Sequence, residues 1–556
     1  MYFRQKVSGN RSYLQVVEGY RENGRVRQRV IATLGRTEGL LKTGQLDALL
    51  ASGAKFSQKV SVIGAHKRGD LRDIVTKKIG PGMVMERLWK ETGIQGSLIG
   101  FLSNRRFQFN VERAIFLTVV HRLMDPGSDR AAEKWRSDYR LSDCDQLDLH
   151  HLYRAMAWLG EVLPERDQEG RTPFGPRCMK DLIEERFFAR RRDLFTGLAL
   201  VFFDTTSLCF EGRGGASLGR RGNNKDHRPD LKQMVVGLVL DEEGRAICCE
   251  MWPGNTTDVK TLIPVVDRLR NRFHVGRILI VADRGMISAG TIEELENRKL
   301  EYILGARMRQ QKEVGEEVLA RGGRYRVVHP KRGTAKDPSP LKVKEVYVTG
   351  RRYVVCFNEE QARKDAYDRE QIVEKLKERL KGGDKALVGN KGFRKYLKSS
   401  DSSFKVDLEK IEAEARLDGK WVLRTNSSLA PEDVALTYKQ LWMVEALFRS
   451  VKSVLETRPI YHKQDATIRG HVFCSFLALV MMRELQDRME ERGSKDAEWA
   501  DVLRDLDNLH ETEVEASDGK QFVIRSEVKG WCGKVFEASG VALPPTIRLL
   551  ENQRAE

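Results

Sequence analysis

Two runs of alternating apolar and polar residues, SYLQVVEGY and RVRQRVIATLG, predict a β-hairpin between residues 12 and 34. Asn23-Gly24 joins them and supplies the positive φ angles of a tight turn. Arg25, Arg27 and Arg29 alternate along the second strand, either as a nucleic-acid ribbon or as a solvated edge. A short helix is expected near Leu40 to Leu50, then a linker around Gly64 to Gly69. From about Pro81 to Phe195 the apolar spacing is helical. Asn110 is placed to cap VERAIFLTVVHRLM and Ser128 to cap DRAAEKWRSDY, with Asp125-Pro126-Gly127 between them. The pair has the order of a helix-turn-helix, which many all-helical domains also contain.

From Leu198 the pattern changes to strands. LALVFFDTTSLCF and RILIVADRG are apolar runs of the buried type, carrying Asp204 and Asp283 at their ends. Between them LKQMVVGLVLDEEGRAICCEMWPG turns back near Glu243-Gly244, and Thr257 to Phe273 has helical spacing. Ser288 to Arg298 predicts a helix and EYILGARM a further strand. Past Arg309 come RYRVVHP, KVKEVYVTGRRYVVCFN and KWVLRTN, strand-like and basic, around a charged helix from Glu359 to Leu380. Ile468 to Met489 reads as a buried helix.

The stretch Tyr438 to Lys452 predicts one helix, since no Pro or Gly interrupts it. At about 100° per residue, Tyr438, Trp442, Glu445, Arg449 and Lys452 share an arc of roughly 80°. Leu441, Val444, Leu447, Phe448, Val451 and Leu455 fill the other side. One carboxylate thus sits among a phenol, an indole and two cations. Two strand-borne Asp residues followed by such a Glu match the carboxylate pattern of phosphoryl-transfer enzymes that hold two metal ions.

Composition narrows the partner. The 97 Lys and Arg against 80 Asp and Glu give +17, spread over every segment, which points to a polyanion. No run of about 18 apolar residues occurs and the N-terminus lacks a signal-peptide pattern, so a cytoplasmic chain with no membrane association is expected. The eight cysteines lack zinc-site spacing and read as reduced packing residues. His121, His150 and His151 likewise carry no metal-ligand spacing and read as structural or solvated.

The spacing Tyr438, Leu441, Glu445, Lys452 resembles the Tyr-Arg-Glu-Lys signature of DDE transposases of the IS4 superfamily. KDHRPDLKQ (Lys225 to Gln233), WPGNTTD (Trp252 to Asp258), VADRG (Val281 to Gly285) and RPIYH (Arg458 to His462) are similar to its IS1634-type branch. Leu441 stands where the signature has Arg, so that phosphate contact is either missing or supplied by another residue such as Arg449. Ser288 stands where an aromatic often follows the second Asp.

The resemblance implies an α/β fold: an RNase H-like catalytic core interrupted by a β-rich insertion, with a helical N-terminal DNA-binding region. The expected domains are a β-hairpin region (1–75), a helical DNA-binding domain (76–195), the core in two parts (196–310 and 421–490), an insertion (311–420) and a C-terminal element (491–556). It implies cleavage at the ends of a mobile element and joining to target DNA, with a homodimer expected on the DNA. Asp204, Asp283 and Glu445 would hold two Mg²⁺ or Mn²⁺ ions, hard cations suited to oxygen ligands. Tyr438, Lys452, Arg449 and Trp442 are the expected DNA contacts, although Trp442 either stacks on a base or packs. Asp226, Asp230 and Asp258 lie in the shared motifs and are read as supporting residues. The alternatives are an RNase H-like nuclease that cuts without joining, or a catalytically inactive DNA-binding protein derived from a transposase.

Overall fold

A computed structural model describes residues 1–556 apart from 23–24, 55–68, 70–71, 170, 172–174, 192–198, 224, 227, 274, 276–277, 335–336, 382–394, 401–402, 517–518 and 551–556. The chain divides into two compact units, Met1–Val84 with Asp138–Arg140 and Ser494–Glu556, and Met85–Ser137 with Leu141–Gly493.

In the first unit β1 (Tyr2–Ser8), β2 (Arg11–Glu22) and β3 (Arg25–Arg36) form an antiparallel meander. The Asn23-Gly24 turn lies outside the described residues, but Glu22 pairs with Arg25 across it. β1 is an addition to the expected hairpin. Arg29 on β3 pairs with Glu18 at 2.8 Å. β4 (Arg72–Lys78) belongs to this unit as well.

The second unit is built on a nine-stranded mixed sheet. Its strands are β5 (Ala199–Cys209), β6 (Gln233–Leu240), β7 (Ala246–Pro253), β8 (Ile278–Ala282), β9 (Glu301–Gly305), β10 (Arg326–His329), β11 (Leu341–Val348), β12 (Arg351–Phe357) and β15 (Lys420–Thr425), with a small hairpin of β13 (Leu397–Ser400) and β14 (Ser403–Val406) apart from it. The order across the sheet is β10-β11-β12-β15-β9-β8-β5-β6-β7. β5, β8 and β9 run parallel, and the other neighbours are antiparallel. The near-continuous apolar runs of β6 and β8 follow from this, because both strands are buried throughout. One face of the sheet carries Val201, Phe203, Val239, Trp252, Ile280 and Leu304 into a core completed by the helix Leu262–Asn271.

The strands expected in the insertion continue this same sheet. Val346, Tyr353 and Val355 pack with Ala306, Val314 and Val422 in one cluster, so burial runs across the expected boundary. Residues between β12 and β15 behave differently. Phe357 pairs with Lys420, and the Asn358 N–H donates to Gly419 O at 2.8 Å. The intervening arm holds the helix Glu359–Lys381, β13, β14 and the helix Leu408–Ala415, with its own core around Val373, Leu376 and Tyr396.

The caps follow the sequence. Asn110 accepts the Arg113 N–H at 3.1 Å, and Ser128 accepts that of Ala131 at 3.2 Å. The helix Val111–Met124 is buried from Val111 to Leu123, so of the helix-turn-helix-like pair only Asp129–Trp135 has a face open to solvent. Ser288 caps Ala289–Asn297 by accepting from Thr291 N at 3.1 Å, which explains a hydroxyl at that position. The helix Asp465–Glu491 is long and apolar enough to cross a membrane, and most of that stretch is buried within the protein. After Gly493, β16 (His510–Glu515), β17 (Gln521–Arg525) and β18 (Ile547–Leu549) join β4 in the first unit, in the order β18-β17-β16-β4. All eight cysteines are free and buried.

Candidate active site

Register builds the centre of the site. On the parallel pair β5 and β8, Phe203 stands opposite Ala282, so the next residues, Asp204 and Asp283, emerge side by side. β8 stops at Ala282 and releases Asp283 into a loop. β5 does not stop at Asp204 as the apolar pattern suggested. It continues to Cys209 because its ladder with β6 runs on to Gln233. Asp204 is therefore held inside a strand, and alternation turns it away from the core that Phe203 fills. Its carboxyl is pushed up to about 6, chiefly by burial and also by the charges of Asp283 and Asp258. Lys225 and a 2.7 Å hydrogen bond from Thr205 N–H act in the opposite direction.

Asp283 has an orienting partner on the next strand. Leu304 of β9 stands opposite Ala282, which places Gly305 beside Asp283. The helix Pro431–Lys439 packs over β8 and β9, and its Tyr438 donates from its hydroxyl to Asp283 Oδ1 at 3.1 Å. A Cβ at residue 305 would overlap that hydroxyl, so the glycine makes the approach possible. Burial, then the Asp283 charge, pushes the Tyr438 phenol far above its ordinary range, so it stays a donor. Arg307 fixes the loop after Asp283, donating to Arg284 O at 2.9 Å and to Gly285 O at 3.0 Å.

A third carboxylate joins the pair. The Oδ2 atoms of Asp258 and Asp283 lie 3.6 and 4.0 Å from where a Cβ on Gly285 would stand. Asp258 Oδ1 accepts from the Thr205 hydroxyl at 2.7 Å. Lys225 Nζ lies 3.3 Å from Asp258 Oδ2 and 4.0 Å from Asp204 Oδ1. The adjacent Asp226 faces the other way, accepting from Lys452 at 2.9 Å and Arg458 at 2.7 Å. Asp230 pairs with Arg228 at an exposed position.

The Glu445 segment departs from the single helix expected. Helix Pro431–Lys439 gives way at Gln440 and Leu441 to tighter i to i+3 bonds, including Leu441 N to Tyr438 O at 3.1 Å and Val444 N to Leu441 O at 3.1 Å. A helix Trp442–Arg449 follows, then a wider π turn over Ser450–Val454. These changes in winding break the shared arc. Tyr438 points to Asp283 and Lys452 to Asp226, whereas Glu445, Trp442 and Arg449 are exposed. The apolar side is as expected, with Leu441, Val444, Leu447, Phe448, Val451 and Leu455 all buried. The helix packs on β5 and β6, the strands beside Asp204.

The donors around Asp204 are carboxylate oxygens, three in one neighbourhood, with the Lys225 ammonium beside two of them, Asp204 and Asp258. That excess of negative charge fits a hard divalent cation. Asp204 and Asp283 are brought together, but Asp204, Asp283 and Glu445 are not among the described groups whose ligand atoms all lie within 4.8 Å. Two histidine groups are. In the first, of Asp129, His462 and His471, the Arg122 guanidinium donates to His471 Nδ1 at 2.8 Å and takes the lone pair an ion would need. In the second, His151 Nδ1 accepts the Asp148 N–H at 2.9 Å and so caps its own helix.

Local sequence assigns no role to Lys225, Thr205, Gly305 or Arg307. Thr205 follows Asp204 directly and Lys225 opens the KDHRPD motif, so both stood in view. Nothing local marks Arg307, whose contacts are backbone carbonyls brought to it by the sheet.

Residues 3–65 match the model of the IS1634 family transposase N-terminal domain, and residues 197–481 match the transposase DDE domain. No curated protein sequence matches the chain. Among solved structures, the chain is similar to the piggyBac transposase in its synaptic complex with hairpin DNA, determined by cryo-EM. That match has 12% identity, covers 77% of this chain and 79% of that one, and has a TM-score of 0.37. With the DDE match spanning just over half of the 556 residues and enclosing Asp204, Asp283 and Glu445, the chain belongs to the DDE transposase family, in its IS1634 type.

Proposed function

We propose that this DNA transposase cleaves the ends of a mobile element and joins them to target DNA, using Asp204, Asp283 and Glu445 on an RNase H-like core. The observation that carries the reading is the β5–β8 register, which sets Asp204 beside Asp283. The β7-β6-β5-β8-β9 order, antiparallel then parallel, supports the RNase H-like assignment. Asp204, Asp283 and Glu445 would hold two Mg²⁺ or Mn²⁺ ions. Such ions, when bound, activate an attacking oxygen and stabilise the leaving one.

The chain's own residues do the rest. Tyr438 orients the Asp283 carboxylate, and Arg307 fixes the backbone behind it. Glu445 presents its carboxylate from the exposed face of its helix. Trp442 and Arg449, exposed on the same helix, would meet a base and a phosphate of the DNA. Lys452, with Arg458, forms a cationic pair around Asp226 that DNA phosphates could share. The resemblance supports a homodimer on DNA, and eight buried free thiols suit a reducing, cytoplasmic setting.

Asp204→Asn, Asp283→Asn and Glu445→Gln should each abolish cleavage of labelled element-end DNA while leaving DNA binding and thermal melting near wild type. Cleavage at the wild-type rate by any of them would show the triad to be misassigned. Adding a supercoiled target completes the test: cleavage without joining would identify a nuclease, and neither activity in the wild type an inactive DNA-binding protein.

A further inference from the structure

Lys225 Nζ has three protons and three close acceptors. They are Thr205 O at 2.6 Å, Thr205 Oγ1 at 2.9 Å and Asp258 Oδ2 at 3.3 Å. Asp204 Oδ1 is farther, at 4.0 Å. The Thr205 hydroxyl accepts from Lys225 and donates its own hydrogen bond to Asp258 Oδ1, closing a ring of Lys225, Thr205 and Asp258. Thr205 and Asp204 are successive strand residues and so point to opposite faces of β5. The ammonium is thus tied to one face of the strand while standing within reach of the carboxylate on the other.

We propose that Asp258 is a positioning residue that restrains Lys225 and so keeps its ammonium off Asp204, the carboxylate set beside Asp283. The inference rests on the reading of those two residues as ligands of a divalent ion. Without the Asp258 charge, Lys225 loses its nearest carboxylate, and its long, flexible stem allows the ammonium to pair directly with Asp204. That pair would use oxygens the ion needs. Asp258 thereby protects the site without itself holding the ion.

The test measures Mn²⁺ binding to the metal-free full-length chain, from the electron paramagnetic resonance signal of free Mn²⁺. Asp258→Asn should weaken binding about tenfold, at the lower end of losses seen when partners of metal ligands are removed. Lys225→Met should bind at least as tightly as wild type. The double variant should return to the Lys225→Met value. A double variant as weak as Asp258→Asn would overturn the proposal, because the aspartate would then be needed irrespective of the lysine. So would an Asp258→Asn affinity equal to wild type. Asp204→Asn is the control for the underlying reading: wild-type Mn²⁺ binding there sinks the metal site itself. Loss in Asp204→Asn with no effect of Asp258→Asn sinks only the role of Asp258. Thermal melting of all four variants shows whether each is folded.

Discussion

The Tyr438 hydroxyl reaches Asp283 Oδ1, at 3.1 Å, through the gap left by the absent side chain of Gly305. Tyr438→Phe removes one hydrogen bond to a charged group, worth about 1.5 kcal/mol. Gly305→Ala keeps the phenol but puts a methyl where the hydroxyl stands. The tyrosine ring can shift away, so β9 should survive while the contact does not. Both variants should melt within a few degrees of wild type and cleave element-end DNA far more slowly. Full cleavage by Gly305→Ala would show that Asp283 needs no orienting hydroxyl.

His121 is buried against the edge of Trp135, with ring centroids 5.4 Å apart. Burial pushes its pKa down to about 4, with Arg122 adding to the effect and Asp125 and Asp129 opposing it. Between that value and the ordinary one near 6.5 the unfolded chain binds the proton and the folded chain does not. Stability from a neutral His121 is therefore complete above about pH 6.5 and is lost as pH falls toward 4, by on the order of 2–3 kcal/mol. Urea unfolding at pH 7.5 and pH 4.5 should show a smaller acid loss in His121→Leu than in wild type. Equal losses would mean that His121 titrates normally.

Phe357 and Lys420 are paired neighbours, so the chain leaves and re-enters the sheet at one point. Replacing residues 359–418 by a short Gly-Ser linker should leave cooperative melting intact, since the arm's apolar cluster goes with it. Replacing 309–420 should not. That cut removes β10 to β12, opens the edge of β15 and takes Val346, Tyr353 and Val355 from a shared core. Circular dichroism melts of the two variants check the contrast, and cooperative melting of the larger deletion would refute it.

The +17 charge should make DNA binding strongly salt-dependent, because cations that neutralise phosphates release counterions. The affinity for element-end DNA should fall linearly with salt on logarithmic axes, and Arg449→Ala should make the slope shallower. A flat plot would remove charge as the driving force.

Much of the fold was legible in one dimension. The period-two runs, the Asn110 and Ser128 caps and the buried face of the Glu445 segment are local properties, and the chain adopts them as the pattern requires. The Asp204 and Asp283 pair was legible too, because each follows an apolar run long enough to be a central strand. The sequence by itself thus determined most of the elements, the charge and the candidate carboxylates.

What it could not determine was which residues meet. Asp204 sits beside Asp283 because of a pairing register, and register depends on partners about 80 residues apart. The tight turn at Gln440–Leu441 and the π turn after Arg449 carry no Pro or Gly to announce them. The helix between them packs on β5 and β6, whereas the π turn packs against the helix Asp465–Glu491. Lys225 reaches Asp258 and Asp204, and Arg307 reaches the loop behind Asp283, only because the sheet has already brought those atoms together. Local spacing fixes a side chain's face on its own element. Only the packing of one element on another decides what that face touches.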